Sequence, residues 1–68
     1  DTIKVNDDVI IIDDLMATGG TAIAAIEIVK ELGGNVSAVA CVIDLPNLGG
    51  SNKIKELNIP FYSSVKYD

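Results

Sequence analysis

The residues able to do chemistry gather in one short stretch of the chain. Asp13 and Asp14 stand side by side, and three positions later begins Ala17-Thr18-Gly19-Gly20-Thr21. Ionised carboxylates only accept hydrogen bonds, so the acidic pair suits vicinal sugar hydroxyls or a Mg²⁺ ion bridging oxygens, and it would repel a bare phosphate. The loop has the opposite character. Gly19 and Gly20 have no Cβ, so the backbone can take positive φ and approach an oxyanion closely. A valine at Gly19 is therefore expected to fill the space meant for the anion while leaving the domain folded. Thr18 and Thr21 add hydroxyl donors in the same small volume. From Thr18 through Ile26 there is no charge, and the first acids of that segment are Glu27 and Glu31. An acid-free start leaves a helix's unpaired N–H groups and positive dipole end open to an external anion. The stretch thus reads as a two-part site: a phosphate cradle at 17–21 and a ribose or metal edge at Asp13 and Asp14. With no Lys or Arg in the loop, amides and hydroxyls would hold the phosphate.

These residues need elements to position them. The Val9-Ile10-Ile11-Ile12 run suits a parallel strand covered on both faces, expected over 8–13 with the acids at its carboxyl end, where ligands bind in open α/β sheets. Ala22, Ile26, Val29 and Leu32 recur at helical spacing, giving a helix over 20–32 with Glu27, Lys30 and Glu31 on its solvated side and Gly33-Gly34 as its stop. A second strand is expected over 35–43, joined by a right-handed crossover. Pro46, Asn47, Gly49 and Gly50 read as a loop, and Ser51 as the cap of a short helix over 53–57. A last strand follows Pro60 over 61–65. The fold class is α/β: strand, helix, strand, short helix, strand in a Rossmann-like parallel sheet.

The 68 residues carry ten acids and five bases, a formal charge of −5, which argues against nucleic-acid or anionic-membrane partners. The single cysteine, Cys41, cannot form an intrachain disulfide and lies in an apolar strand, which fits a core residue in a reducing cytoplasm. No apolar run is long enough for a membrane span and no signal peptide is visible.

The stretch Asp13-Asp14-Leu15-Met16-Ala17-Thr18-Gly19-Gly20-Thr21 resembles the phosphoribosyl pyrophosphate signature of the type I phosphoribosyltransferases, and its Ala-Thr-Gly-Gly-Thr form resembles the adenine-specific branch. The likeness continues to Leu32-Gly33-Gly34 and returns at Leu48-Gly49-Gly50 and Pro60-Phe61-Tyr62-Ser63-Ser64-Val65. The resemblance implies purine salvage: ribose 5-phosphate passes from phosphoribosyl pyrophosphate to adenine, giving AMP and pyrophosphate, with Mg²⁺ required and a homodimer common. Ala17, Thr18, Gly19, Gly20 and Thr21 would hold the 5′-phosphate, and Asp13 and Asp14 would face the ribose 2′- and 3′-hydroxyls. Hypoxanthine–guanine relatives carry an aspartate where Ala17 stands, so that acid–base group is missing. The adenine enzymes use a glutamate upstream, and none precedes Asp13. Residues 1–68 are accordingly expected to be the C-terminal portion of a single phosphoribosyltransferase domain, without catalytic residues and inactive alone. A chain this short buries only about 60% of its unfolded surface.

Two other classes fit parts of the pattern. A non-catalytic phosphoribosyl-binding regulator would share the fold and cradle. A signalling receiver module also places an acidic pair after an apolar strand, with Asp44 cast as phospho-acceptor; otherwise Asp44 simply starts a turn before proline. Lys53 and Lys55 could line an anion path but read more simply as the solvated side of a short helix, and Tyr62 and Tyr67 as packing or dimer-contact residues rather than base stackers.

Overall fold

The computed structural model describes residues 4–67. Strands β1 (Asp8–Met16), β2 (Asn35–Asp44) and β3 (Phe61–Lys66) alternate with helices α1 (Gly20–Glu31) and α2 (Gly50–Glu56), a single 3₁₀ turn at Pro46–Leu48 preceding α2. The strands are parallel and ordered β1-β2-β3. The order of elements is the one expected, with shifted ends. β1 runs on past the acids because Leu15 and Met16 still pair with Ile43 and Asp44. α2 starts earlier than 53, and Ser51 does not cap it. Gly49, at φ 90°, is the N-cap without a side-chain hydrogen bond, and Ser51 is buried in the first turn.

The expectation of a first strand covered on both faces is corrected. β2 is the central strand, and β1 lies at the edge of the sheet among the described residues. Ala22 and Ile26 of α1 and Ile54 of α2 enter one core cluster with Met16, Val39, Cys41 and Ile59, so both helices cover the same face. Because strand side chains alternate, the intervening residues point the other way: Ile10 is 60% exposed and Ile12 76%. Val42 and Tyr62 are exposed with them. The unbroken Val/Ile run is therefore explained on one face by this chain and left bare on the other.

The stop of α1 is as the glycine pair predicts. Gly33 sits at φ 87°, its N–H donates to the Lys30 carbonyl at 3.0 Å, and the Gly34 N–H donates to the Val29 carbonyl at 2.9 Å. That crossed pair is the Schellman arrangement, which satisfies carbonyls the helix leaves open. It returns the chain to Asn35 and sets β2 parallel to β1. Met16 and Asp44 are then register partners, so the loops after β1 and β2 leave the same sheet edge side by side.

Candidate functional site

Beyond Met16, the chain crosses this edge as Ala17-Thr18-Gly19 and enters α1 at Gly20. Gly19 holds φ 90°, ψ 0° and serves as the N-cap, with no side-chain hydrogen bond to the helix and no acid in the first turn. The first helical bond is donated by the Ile23 N–H to the Gly19 carbonyl at 2.8 Å. The N–H groups of Thr18, Gly19, Gly20 and Thr21 have no backbone acceptor among the described residues. Several free donors thus share one helix start, at its positive dipole end.

They border a cavity of about 70 Å³ lined by Asp13 and by every residue from Leu15 to Ala22. Pockets for whole small molecules begin at about 300 Å³, so this one takes a group the size of a phosphate. A larger groove of about 520 Å³ runs between α1 and α2 and shares Gly19 and Gly20 with the cavity. It is walled mainly by Ile23, Ala24, Ile26 and Leu57, with the oppositely charged Glu27, Glu56, Lys30 and Lys53 around it. The smaller space is thus the one whose size and free donors fit an anion.

Of the residues singled out in the sequence, Asp13, Ala17, Thr18, Gly19, Gly20 and Thr21 meet around the cavity. Asp14 does not line it: as the next residue of a strand it points to the opposite face and is exposed. Its N–H donates to the Asp13 Oδ1 at 2.8 Å, which fixes the half-buried Asp13 carboxylate at the cavity's rim. No group of three or more metal-ligating side chains exists among the described residues. Asp13 and Asp14 lie on opposite faces of β1 and form no protein cage; either carboxylate alone fits an ion carried in on substrate oxygens and its own water, as Mg²⁺ usually is.

The role expected for Gly19 is corrected in part. A Cβ there would meet the Gly50 Cα at 2.9 Å, so its side-chain position faces α2 and not the cavity. A valine at Gly19 would push the loop off the helix and force an unfavourable positive φ on a β-branched residue. Gly20 is the glycine with open space, its nearest neighbour being the Thr18 Oγ1 at 3.9 Å.

Two residues on α2 make contacts that sequence reading did not assign to them. The Gly50 N–H donates to the Ala17 carbonyl at 2.9 Å. A Cβ on Gly50 would meet the Ala17 carbonyl oxygen at 2.5 Å and the Gly19 nitrogen at 2.7 Å. Lys53, expected to be merely solvated, donates from Nζ to the Thr18 carbonyl at 3.0 Å. The available signal was the second glycine pair, Gly49-Gly50, which follows the strand adjacent to β1.

Asp44 is not at a solvated turn. It is 2% exposed at the end of β2, and its Oδ1 has no hydrogen-bond partner. A carboxylate so enclosed cannot take a phosphoryl group from solvent, which removes the receiver reading. Cys41 is buried as expected. Burial raises its thiol pKa, and the charge of Asp44 raises it further. No helix among the described residues is long and apolar enough to cross a membrane.

The profile of the phosphoribosyl transferase domain family matches residues 2–64. An adenine phosphoribosyltransferase from a Marinomonas species is 48% identical over 66 residues, covering 97% of this chain and 37% of that protein. The crystal structure of adenine phosphoribosyltransferase from Thermoanaerobacter pseudethanolicus superposes with a TM-score of 0.90 at 34% identity, over 98% of this chain and 38% of that one. The Trypanosoma brucei adenine phosphoribosyltransferase, solved in complex with AMP, pyrophosphate and ribose-5-phosphate, superposes with a TM-score of 0.83 at 32% identity, over 93% of this chain and 30% of that one. The chain spans a little over a third of the length of the curated relatives it matches.

Proposed function

The chain belongs to the phosphoribosyltransferase family, and from that premise we propose that it is the 5′-phosphate- and ribose-binding C-terminal portion of one adenine phosphoribosyltransferase domain. The reaction is purine salvage: adenine gives up its imidazole proton as N9 bonds to the ribose C1 of phosphoribosyl pyrophosphate, the bond from C1 to pyrophosphate breaks, and AMP and pyrophosphate are formed. The observation that carries this reading is the cluster of unpartnered N–H groups from Thr18 to Thr21 around a phosphate-sized cavity, with Asp13 on its rim. The names of the relatives support adenine as the base.

In this assignment Ala17, Thr18, Gly19, Gly20 and Thr21 hold the 5′-phosphate through amides and hydroxyls. Asp13 takes a ribose hydroxyl from within the cavity, and Asp14 reaches the sugar or its metal from the exposed edge of β1. Asp13 or Asp14, each from its own face of β1, would hold a Mg²⁺ ion, which would supply charge neutralisation for the departing pyrophosphate. No residue of this chain is assigned to proton transfer: Ala17 cannot ionise, and recognition of the base falls to the remainder of the protein. The full-length protein is proposed to act in the cytoplasm as a homodimer.

The test is a coupled assay for pyrophosphate release by the full-length protein, supplied with phosphoribosyl pyrophosphate and Mg²⁺ and offered adenine, hypoxanthine, guanine or orotate in turn. Adenine is expected to give the highest kcat/KM. Release with another base alone would move the assignment within the family. Tight phosphoribosyl pyrophosphate binding without turnover on any base would make the protein a regulator.

A further inference from the structure

Two of the loop's three carbonyls are held from one side. Ala17 gives its oxygen to the Gly50 N–H at 2.9 Å, and Thr18 gives its oxygen to the Lys53 Nζ at 3.0 Å. A trans peptide points its C=O and N–H in opposite directions. The Gly19 N–H therefore faces away from Lys53. Gly19 borders both the phosphate-sized cavity and the groove between the helices, whereas Lys53 lines only the groove, which leaves the cavity as the space open to that N–H. The unit is also one that can turn over. Gly19 lies on its C-terminal side at φ 90°, and a glycine crosses between positive and negative φ with little steric cost. Rotated by half a turn, the Thr18–Gly19 peptide would aim a carbonyl oxygen at the bound monoester and withdraw a donor from it.

We propose that Lys53 is a positioning residue that selects the donor-inward orientation of the Thr18–Gly19 peptide. The inference rests on the reading of residues 17–21 as a phosphate cradle. Lys53 reaches over a sequence separation of 35 residues, whereas Lys55, on the same helix, lies over the Phe61 ring at 6.0 Å and touches no part of the loop. An ammonium donor to a carbonyl is charge-assisted and stronger than a neutral bond. Its removal frees the peptide without emptying any buried space, because Lys53 is exposed.

The experiment compares Lys53→Met and Lys53→Arg with the wild type in the full-length protein. Binding of AMP and of inorganic phosphate is measured by calorimetry, and the Gly19 amide is followed by ¹⁵N NMR. Lys53→Met keeps the apolar stem and loses the donor; it is expected to weaken AMP about tenfold, the loss of one charge-assisted hydrogen bond. Its melting temperature should stay unchanged, and the phosphate-induced shift of the Gly19 amide should collapse. Lys53→Arg keeps a donor in reach and should restore both readings. The tenfold loss must persist at 0.5 M salt, since a residue that only attracted phosphate through long-range charge would lose its effect there. AMP affinity and a Gly19 shift equal to wild type in Lys53→Met would overturn the proposal. A wild-type Gly19 amide that ignores AMP and phosphate would instead overturn the cradle itself.

Discussion

Gly50→Ala is the sharpest perturbation of this site, because the residue lines neither the cavity nor the groove and the added atom has nowhere to go. The new Cβ would stand 2.5 Å from the Ala17 carbonyl oxygen, 2.7 Å from the Gly19 nitrogen and 2.9 Å from the Thr18 carbonyl carbon, all backbone and all inside the 3.0 Å that real Cβ contacts respect. A side chain could rotate aside; a peptide cannot. Either α2 backs away from the loop or the loop moves toward the cavity. Overpacking of this kind costs about 1–3 kcal/mol. In a protein of about 150–250 residues each kcal/mol lowers the melting temperature by about 2–4 °C. The functional penalty should be larger, since misplacing binding groups by about 1 Å costs on the order of 10²-fold.

Two neighbouring glycines supply the controls. Gly49→Ala meets nothing within 4 Å but must hold φ 90°, so it carries a backbone penalty of about 1–2 kcal/mol without pushing on the loop. Gly20→Ala is free of both problems for folding, and its Cβ enters open space beside the cavity. Melting curves and AMP titrations of the three full-length variants should separate them. Gly49→Ala loses stability and keeps affinity. Gly20→Ala keeps stability and loses affinity. Gly50→Ala loses both. If Gly50→Ala binds AMP as the wild type does and melts no lower than Gly49→Ala, the contact between α2 and the loop does not shape the cradle, and the reasoning fails.

Asp13→Asn combined with Asp14→Asn in the full-length protein should lower kcat/KM by about 10²-fold or more, as expected when two charged acceptors are lost; steady-state kinetics equal to wild type would remove the ribose role. Ile54→Ala, at a position with 0% exposure, should cost about 2–5 kcal/mol in urea denaturation, and AMP affinity should fall with it because α2 carries Gly50 and Lys53. Unchanged affinity in that variant would separate the core from the loop. Cys41 should resist iodoacetamide at pH 7.5 until the protein is unfolded, since burial keeps its thiol protonated. The sign for stability follows: the contribution is complete below the unfolded thiol value of about 8.5 and is lost as pH rises through the higher folded value. A rapid reaction in the folded state would contradict the assigned burial.

The first strand, the turn and α1 were legible because their signals are local. The Val/Ile run, the 3.6-residue recurrence of Ala22, Ile26 and Val29, and the Gly33-Gly34 stop each act within one or two turns of chain. Asp14 shows the limit of adjacency as a guide: neighbours in sequence are opposite in a strand, so only Asp13 of the pair lines the cavity. Asp44 and the covering of β1 misled for a different reason, since burial depends on what lies beside a residue and not on its type. The clamp on the loop needed one further step, from elements to topology. Once β1 and β2 are parallel neighbours, the loop after each must leave the same edge, and Gly49-Gly50 falls beside Gly19-Gly20.

That juxtaposition divides the labour among the glycines in a way spacing cannot reveal. Gly20 leaves open space at the cavity's border, while Gly19 and Gly50 let two backbones meet more closely than Cβ atoms permit. Free amides at a helix start bind anions poorly unless something holds their loop in one shape. Here the loop contributes no side-chain cap of its own. Its shape is imposed by a helix more than 30 residues away in sequence, through Gly50 at Ala17 and Lys53 at Thr18. Substitutions at Gly50 and Lys53, the two α2 residues that touch the loop, should therefore register more strongly in phosphate affinity than in unfolding.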